Sequence, residues 1–360
     1  MRVALTGDLH FGVKDSDKTF QNSQFEFMAQ MVMECKAEKI SEIFILGDLF
    51  DTRHSLNVLT LDRVIDFFLD HEEDEVTFHI LLGNHDLYYK NSLLVNSLKV
   101  LRGIRNIRIY DHPKEVGITH RPMEDGSKMV VFDTLVVPWV TDYEQFRNEV
   151  IGKYPETKRI FGHFDVIGAK MDNFQVSENG FEKEELLNSW QYVYSGHYHH
   201  HSETVVGDKR LVYIGSPYQI TRAEIEPKGY YILDTDDESL TFKRNTCCIE
   251  YKKLTYPEFP EDPDDFITGN IVDVEISWED SKYMNKVNEY LERVESYNPA
   301  YPVNAIYQKK KENASTMKID ASKITILSLG KKYIDDSQDI KNKAKVYSEF
   351  KDLYSKYSVQ

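Results

Sequence analysis

The segment Ile43–Asp51 reads IFILGDLFD, and its order of residue types decides the fold expected for the chain. An apolar run rich in β-branched and aromatic side chains is followed by a glycine and then by aspartates. This order is typical of a buried strand that ends in a turn and presents polar side chains at its carboxyl end. In open α/β sheets, ligands bind at that end of the strands. The segment therefore predicts a site at one edge of a sheet.

Four further segments repeat this arrangement within the first two hundred residues. Each polar motif directly follows a short apolar run, and the motifs are DLH at 8–10, GNHD at 83–86, GH at 162–163 and GHYH at 196–199. Any one of them alone is more typical of an ordinary polar turn or helix cap than of a ligand pair. The ordered set of five, each at a strand end, favours one shared metal site in an α/β fold.

The side chains of these motifs are metal ligands of the oxygen and nitrogen type. The candidates are Asp8, His10, Asp48, Asn84, His163, His197 and His199. Carboxylate, imidazole and amide oxygen, without thiolate, suit Mn²⁺, iron or Zn²⁺ and disfavour a zinc ribbon or an iron–sulfur cluster. These ligands suffice for two ions about 3.5–4 Å apart if one carboxylate bridges them, and Asp48 is our choice for the bridge.

The ligand types also indicate the kind of substrate. Two divalent ions bring more positive charge than the carboxylates of Asp8 and Asp48 neutralise, and the other ligands are neutral. The surplus would attract a phosphodiester and lower the pKa of a bound water, so that hydroxide forms near neutral pH. The pattern therefore favours a two-metal phosphoesterase.

One histidine of the motifs is expected to act on the substrate. His85 stands next to a presumed ligand, Asn84, and need not bind metal itself. A histidine in this place can protonate the leaving oxygen or stabilise the transferring phosphoryl group. Either Asp51 or Asp86 could orient its ring, as carboxylates orient catalytic imidazoles elsewhere.

The ordered motifs resemble those of the calcineurin-like metallophosphoesterase superfamily. Within it, the segments at 47–51 and 83–86 and the later Gly215-Ser216-Pro217 are similar to the SbcD-type recombination nucleases, the bacterial and phage relatives of the eukaryotic meiotic-recombination nuclease. The resemblance covers roughly residues 1–245 with specific motifs. It implies a layered β-sandwich, in which two sheets pack together and helices flank them.

The resemblance also implies a role for each motif residue. One ion would be held by Asp8, His10, Asp48 and His199, and the other by Asp48, Asn84, His163 and His197. His85 would be catalytic. Some of these nucleases carry a histidine where this chain has Asp51, whereas other superfamily members have an aspartate there, paired with the histidine of the Asn-His motif. Asp51 is therefore assigned to orienting His85, and His54 is expected to lie at the surface.

The implied activity is exonuclease action on double-stranded DNA ends and endonuclease action on single strands, with Mn²⁺ preferred. The chain would be the nuclease subunit of a recombination and double-strand-break repair complex, with an SbcC-type coiled-coil ATPase as partner and a second copy as a homodimer. One alternative is a phosphodiesterase of the same superfamily that acts on cyclic or dinucleotides. Another is a non-catalytic scaffold that keeps metals for folding, although the intact His85 and full ligand set argue against it.

Hydrophobic periodicity predicts the elements between and after the motifs. We expect helices near residues 18–39 and 57–71, a long strand at 129–137, and strands at 202–206, 210–214 and 229–234. The stretch Tyr256–Asp265, with three prolines and several acids, marks a boundary. After it, a strand at 271–276, a helix at 283–294 and a strand at 303–307 predict a small αβ unit.

The chain of 360 residues has room for more than one domain. We expect a nuclease domain over residues 1–255, a small α+β capping domain that guides DNA over 266–330, and a C-terminal helical segment that docks a partner over 331–360. An apolar, mostly aromatic stripe at helical spacing predicts that last helix: Ile340, Ala344, Tyr347, Phe350, Tyr354 and Tyr357. The alternatives are a capping unit that only stabilises the fold and a helix that packs on its own domain.

The charge balance is unusual for a nucleic-acid enzyme, because the net charge is −16 and DNA affinity comes mainly from phosphate neutralisation. Three basic clusters are candidates for DNA contact: Lys99 with Arg102, Arg105 and Arg108; Lys309 to Lys311; and Lys341 with Lys343 and Lys345. Ordinary solvated faces explain each cluster equally well. An acidic subunit of this kind is expected to rely on its partner for much of its grip on DNA.

The remaining features concern location. The sequence has no apolar run long enough to span a bilayer, we expect no signal peptide, and three cysteines fit a reducing compartment. The sequence therefore predicts a cytoplasmic protein without membrane contact, in the host cytoplasm if a phage encodes it.

Overall fold

The computed structural model describes residues 1–123, 128–170, 176–308 and 343–357, together with Lys331 and Ile334. The chain divides into two compact units, Met1–Gln308 and Lys309–Gln360. Within the described residues, every helix is too short or too polar to cross a membrane.

The strands follow one another from β1 to β17 along the first unit. They are β1 (Arg2–Thr6), β2 (Glu42–Ile45), β3 (Thr77–Leu81), β4 (Ile107–Tyr110), β5 (Lys114–Val116), β6 (Thr119–Pro122), β7 (Lys128–Val131), β8 (Thr134–Val136), β9 (Arg159–His163), β10 (Tyr192–Gly196), β11 (Ser202–Val206), β12 (Lys209–Tyr213), β13 (Gly229–Asp234), β14 (Leu240–Arg244), β15 (Tyr251–Thr255), β16 (Ile271–Ile276) and β17 (Asn304–Tyr307).

The helices lie between these strands and at the chain end. They are α1 (Val13–Ser16), α2 (Lys18–Ala37), α3 (Val58–Asp70), α4 (Tyr143–Glu149), α5 (Lys183–Ser189), α6 (Pro263–Ile267), α7 (Met284–Glu295) and α8 (Lys343–Tyr357), with 3₁₀ turns at Ser97–Leu101 and Asp280–Lys282. Helix α2 begins at the side chain of Asp17, which accepts from the N–H of Phe20, and α3 begins in the same way at Asn57.

Two six-stranded sheets form the centre of the first unit. The first has the order β14-β13-β1-β2-β3-β4, and the second has the order β11-β12-β10-β9-β8-β5. In the first sheet, β1 to β4 run parallel and β13 joins β1 antiparallel. In the second sheet, β8, β9, β10 and β12 run parallel. Both sheets are therefore mixed: the parallel strands of the first sheet extend to its edge at β4, whereas those of the second are flanked by antiparallel strands on both sides.

The two sheets pack face to face, and helices cover their outer faces. Alternation along β2 shows how this arises: Phe44 joins a buried cluster with Phe161 and Tyr194 of the second sheet, whereas Ile43 and Ile45 join the cluster formed by α2 and α3. On the outer face of the second sheet, α4 and α5 contribute a third cluster. This arrangement confirms the predicted layered β-sandwich with flanking helices.

The predicted elements between the motifs are present, with one correction. Helices α2 and α3 and strands β11, β12 and β13 lie where periodicity predicts them. The single long strand predicted at 129–137 is wrong, because the chain forms β7 and β8 with a break at Phe132 and Asp133. Among the described residues, strand β7 pairs with β6 alone, whereas β8 enters the second sheet. The break places Asp133 beside the fully buried Arg159, 3.2 Å from its Nη1.

A third sheet of three parallel strands, β15-β16-β17, lies in the same unit. Helix α7 packs on it through Val287 and Val294, which share a buried cluster with Val272 and Val274. The strand, helix and strand predicted at 271–307 correspond to β16, α7 and β17. Strand β15 lies within the predicted nuclease domain of residues 1–255 but pairs with β16 of the predicted capping domain. The predicted division into these two domains stays a prediction.

The second unit contains α8, which coincides with most of the predicted C-terminal helix. Its Tyr347 ring lies under the ammonium group of Lys331, 5.6 Å from nitrogen to ring centroid. Ile340, one of the residues predicted for the docking stripe, lies outside the described residues. The same is true of Lys309 to Lys311 and Lys341, which belong to the basic clusters considered for DNA contact. The docking role of this helix stays a prediction.

Candidate metal centre

The five polar motifs lie at the carboxyl ends of five parallel strands. Strands β1, β2 and β3 of the first sheet lead to the motifs at 8–10, 47–51 and 83–86, and β9 and β10 of the second sheet lead to those at 162–163 and 196–199. Because the two sheets pack together, motifs that are far apart in sequence come together at one rim of the sandwich. The fold thus gathers the candidate ligands as the strand-end pattern predicts.

Several candidate ligands have a strained main chain. Asp8, His10, Asp48 and His197 all have positive φ angles, of 54°, 44°, 51° and 93°. Such a conformation costs a residue other than glycine on the order of 1–3 kcal/mol, and it persists only where the surroundings hold it. Here main-chain hydrogen bonds hold it, from Asp8 to Gly47 (3.1 Å) and from His10 to Asp48 (2.9 Å). Strain of this kind is typical of functional sites.

Glycines in the motifs leave room for the ligands beside them. A Cβ atom on Gly47 would lie 2.3 Å from Nδ1 of His163, and one on Gly83 would lie 2.1 Å from a carboxylate oxygen of Asp48. Both distances are far below van der Waals contact. The glycines are therefore required by the packing of the site and not only by its turns.

A first group of donors consists of Asp8, His10 and His199. One donor atom from each lies within 4.8 Å of the others. The Nε2 atoms of His10 and His199 face each other at 3.2 Å. Asp8 is fully buried and accepts the main-chain N–H of His197 at 2.9 Å.

A second group consists of Asp48, His163 and His197, again with donor atoms within 4.8 Å of one another. The amide oxygen of Asn84 lies 3.0 Å from Nε2 of His163 and 3.1 Å from Nδ1 of His197. Nδ1 of His163 lies 2.7 Å from the carbonyl oxygen of Leu46. Because that carbonyl only accepts, Nδ1 carries the hydrogen, and Nε2 is the nitrogen available to a metal.

Asp48, a member of the second group, also lies next to the first. Its Oδ2 atom is 3.7 Å from Nε2 of His10, in the first group, and 3.3 Å from Nε2 of His163, in the second. This is the place that a bridging carboxylate requires. The division of the ligands between two ions, with Asp48 shared, stays a prediction.

The donor set fits divalent cations. Two imidazole nitrogens at 3.2 Å repel each other unless a proton or a cation lies between them. Burial raises the pKa of Asp8. For His163, burial opposes protonation, but the nearby Asp48 outweighs it and raises the pKa to about 9. Burial and the charge of His163 lower the pKa of His197 to about 3. The Asp48 carboxylate thus favours positive charge at the neighbouring imidazole, and a bound metal ion would supply that charge in place of a proton on Nε2.

His85 is held beside these groups by main-chain contacts. Its N–H donates to Asp48 (2.8 Å), and its ring contacts that of His10 edge to face. Nδ1 of the ring lies 2.6 Å from the main-chain oxygen of Asp51, whose carboxylate faces His10 instead. Asp51 therefore contacts His85 through its carbonyl group, and its assignment to orienting His85 stays a prediction.

Asp86, the other residue considered for that role, holds the turn. Its buried carboxylate accepts the N–H groups of Gly83 (2.9 Å) and Phe50 (3.2 Å). Burial and the charge of Asp48 raise the pKa of Asp86 to about 7. His54 is exposed, as expected, and its ring contacts Tyr88.

Two residues that the sequence did not assign also touch the candidate ligands. The ring of Trp139 lies 5.0 Å from that of His197 and 5.8 Å from that of His163, measured between centroids. Glu224 is buried, and its carboxylate lies 3.3 Å from Nδ1 of His199. Two features of the sequence could have pointed to these residues. Trp139 follows Pro138 at the end of an apolar run, and Glu224 comes a few residues after the motif Gly215-Ser216-Pro217.

Comparison with known proteins gives a family for this arrangement. The calcineurin-like phosphoesterase family model matches residues 1–221. The chain is 28% identical over 261 residues to "Exonuclease subunit 1" of Enterobacteria phage T4, covering 71% of each chain. It is 24% identical over 259 residues to the SbcD subunit of the nuclease SbcCD from Staphylococcus epidermidis, covering 67% of each chain. A solved dimetal phosphatase from Danio rerio, 12% identical, superposes with a TM-score of 0.40 over 64% of this chain and 91% of its own.

Proposed function

Because this chain belongs to the calcineurin-like phosphoesterase family, we propose that it is a metal-dependent DNA nuclease that hydrolyses phosphodiester bonds. One observation carries the proposal: two groups of buried or half-buried donors meet around Asp48, with His85 in contact with both Asp48 and His10. The curated relatives are a phage exonuclease subunit and a bacterial nuclease subunit, which favours a nucleic-acid substrate over a small one.

The proposed cofactor is a pair of divalent ions, with Mn²⁺ the preferred metal. One ion would be held by Asp8, His10, Asp48 and His199, and the other by Asp48, Asn84, His163 and His197. When bound, such a pair neutralises phosphate charge and lowers the pKa of a coordinated water. Oxygen ligands suit Mn²⁺ and imidazole ligands suit iron and Zn²⁺, so this mixed donor set accommodates any of these ions.

The proposed catalytic residue is His85. Since its Nδ1 atom lies against a carbonyl oxygen, that nitrogen carries a hydrogen and Nε2 is the atom left for the substrate. In its charged form the ring gives a proton from Nε2 to the departing 3′ oxygen, and it also stabilises negative charge on the phosphoryl group. Two hydrogen bonds hold this residue: its main-chain N–H donates to the carboxylate of Asp48, and Nδ1 of its ring donates to the main-chain oxygen of Asp51.

The proposal extends to partners. Both relatives are named as subunits, and we propose an SbcC-type coiled-coil ATPase as partner, docked through α8, together with a homodimer of this chain in a cytoplasmic repair complex. The net charge of −16 supports a partner that supplies part of the DNA contact. Exonuclease action on duplex ends and endonuclease action on single strands are the proposed activities.

The test is a digestion assay on end-labelled duplex and single-stranded DNA with Mn²⁺ or Mg²⁺, with Asp48→Ala as the control. We expect cleavage with Mn²⁺ by the unaltered chain and none by Asp48→Ala. Cleavage of bis(p-nitrophenyl) phosphate but never of DNA would favour the small-substrate phosphodiesterase. A His85→Ser variant that cuts DNA as fast as the unaltered chain would contradict the catalytic role.

A further inference from the structure

A buried carboxylate, that of Glu224, stands behind one of the candidate metal ligands. It is 3% exposed, and its Oε1 atom lies 3.3 Å from Nδ1 of His199. The other ring nitrogen of His199, Nε2, faces His10 and belongs to the donor group that includes Asp8. Glu224 and the first donor group therefore touch opposite ends of the same imidazole ring.

The carboxylate of Glu224 is fixed from several sides. Oε1 also accepts the N–H (3.1 Å) and the hydroxyl (3.2 Å) of Thr221. Oε2 accepts the hydroxyl of Ser216 (3.0 Å) and pairs with the ammonium of Lys228 (2.9 Å), a residue that is 8% exposed. A buried carboxylate with this many partners is held in one orientation, and the buried ammonium of Lys228 offsets part of its charge.

The same segment, Gly215–Lys228, also holds the main chain of His199. The ammonium of Lys228 donates to the carbonyl oxygen of His199 at 2.7 Å, and the N–H of Ser216 donates to the same oxygen at 3.0 Å. At Gly215, with φ of 79°, a Cβ atom would lie 2.9 Å from that oxygen. Glycine thus allows the segment to cross directly over His199, so that both the ring and the carbonyl group of this histidine are held.

We propose that Glu224 is a positioning residue that prepares His199 to bind metal through Nε2. An ionised carboxylate only accepts hydrogen bonds, so the contact requires the hydrogen of a neutral imidazole to be on Nδ1. The lone pair then lies on Nε2, toward His10 and Asp8. A carboxylate in this place also makes the ligand more basic, and loss of such a partner typically weakens metal affinity 10- to 100-fold. The inference rests on the proposed function, because it takes His199 as a ligand.

The chain offers a matched control two residues away. The carboxylate of Glu226 pairs with the same Lys228 (2.7 Å) but contacts Nδ1 of His200 (3.0 Å), a histidine that is not a candidate ligand. Substitution of Glu226 therefore disturbs the charge balance of Lys228 without removing the contact to His199. A comparison of Glu224→Gln with Glu226→Gln separates positioning of the ligand from general stability.

The first test measures Mn²⁺ binding by equilibrium dialysis, with free Mn²⁺ followed by electron paramagnetic resonance and folding checked by circular dichroism. We expect Glu224→Gln to bind one of the two ions about 10- to 100-fold more weakly, and Glu226→Gln to bind both as the unaltered chain does. Equal binding of both ions by all three proteins would overturn the role of Glu224 while leaving the proposed function intact. An unaltered chain that binds no ion would instead overturn the proposed function.

A second test leaves Glu224 in place, so it can be carried out even if the Glu224→Gln variant fails to fold. Long-range ¹H–¹⁵N spectra of the Zn²⁺-loaded full chain report which ring nitrogen of each histidine carries hydrogen, and His199→Gln assigns the signal. We expect the hydrogen of His199 on Nδ1 and the metal-type shift on Nε2. A hydrogen on Nε2, with Nδ1 bound to metal or bare, would overturn the inference.

Discussion

Nδ1 of His85 lies 2.6 Å from the main-chain oxygen of Asp51, while the carboxylate of Asp51 lies 3.3 Å from Nδ1 of His10. One residue thus contacts two histidines of the candidate site through two different groups. A carbonyl group is present whatever the side chain, so the contact to His85 survives substitution of Asp51. Only the contact to His10 depends on the carboxylate. The two functions of Asp51 can therefore be separated by mutation.

We expect His85→Ala to lower kcat by about 10²–10⁴-fold at saturating Mn²⁺, with metal affinity unchanged, because the ring acts on the substrate. We expect Asp51→Ala to raise the Mn²⁺ concentration needed for activity by about 10-fold, with kcat largely recovered at saturation, because His10 loses the carboxylate that lies 3.3 Å from its Nδ1. Steady-state kinetics across a Mn²⁺ titration measure both effects. If Asp51→Ala lost as much kcat at saturating metal as His85→Ala, the separation of roles would be wrong.

A pair of glycine substitutions tests how tightly the site is packed. In Gly83→Ala the new methyl group would lie 2.1 Å from the carboxylate of Asp48, whereas in Gly7→Ala its nearest neighbour would be a side-chain carbon of Leu46 at 3.4 Å. We expect Gly83→Ala to displace Asp48, abolish tight Mn²⁺ binding and destabilise the chain by about 1–3 kcal/mol. Gly7→Ala, one residue before Asp8, should keep both ions. Metal stoichiometry and urea unfolding compare the two, and equal metal binding would contradict the packing argument.

Strand-end motifs could be recognised from sequence because each is local: an apolar run, a glycine and polar residues follow one another within a few positions. The packing of two sheets then brings these ends together, as for Asp48 and His163. Periodicity also predicts α2 and α3, since each shows one apolar face to the first sheet. These features depend on short stretches of chain and on the general behaviour of α/β folds.

What could not be predicted depends on contacts between distant residues. The long apolar stretch after residue 128 splits at Asp133 because this carboxylate turns in toward Arg159, a partner 26 residues away. Glu224 showed no pattern of its own, because its role arises from the crossing of Gly215–Lys228 over His199. The main-chain contact of Asp51 was equally hidden, since a carbonyl group has no signature in the sequence.

The buried guanidinium of Arg159 provides a test of stability away from the metal site. Arg159 is 0% exposed and pairs with Glu238 through both Nε and Nη2, and with Asp133 through Nη1. Because Glu238 contacts two nitrogens of a fully buried guanidinium, which would keep only Asp133 as a carboxylate partner, we expect Glu238→Gln to lower the free energy of unfolding by about 3–5 kcal/mol.

The control for this prediction is a surface pair of the same chemistry. Arg147 pairs with Glu185 at side-chain exposures of 43% and 21%. Because solvent screens such a pair, we expect Glu185→Gln to change the free energy of unfolding by no more than about 1 kcal/mol. Urea unfolding followed by circular dichroism measures both variants. If Glu238→Gln and Glu185→Gln lowered the free energy of unfolding by similar amounts, burial of the ion pair would not be what makes the Glu238 contact important.

The ion pair between Arg222 and Asp273 predicts a pH dependence of stability. Burial opposes ionisation of Asp273, but its hydrogen bonds to Arg222 (Nε to Oδ2, 2.6 Å) and Asn304 outweigh burial and keep the pKa of this carboxyl below its ordinary value. A carboxyl whose pKa is lower in the folded chain stabilises the fold above its unfolded pKa of about 3.9, and this contribution disappears as the pH falls through the folded pKa.

Arg222 is half exposed, so we expect the difference in stability between the unaltered chain and Asp273→Asn to be no more than about 1 kcal/mol at pH 6. Thermal unfolding should show this difference shrinking from pH 6 toward pH 3. A difference that stayed constant or grew as the pH fell would mean that the charge of Asp273 does not stabilise the fold.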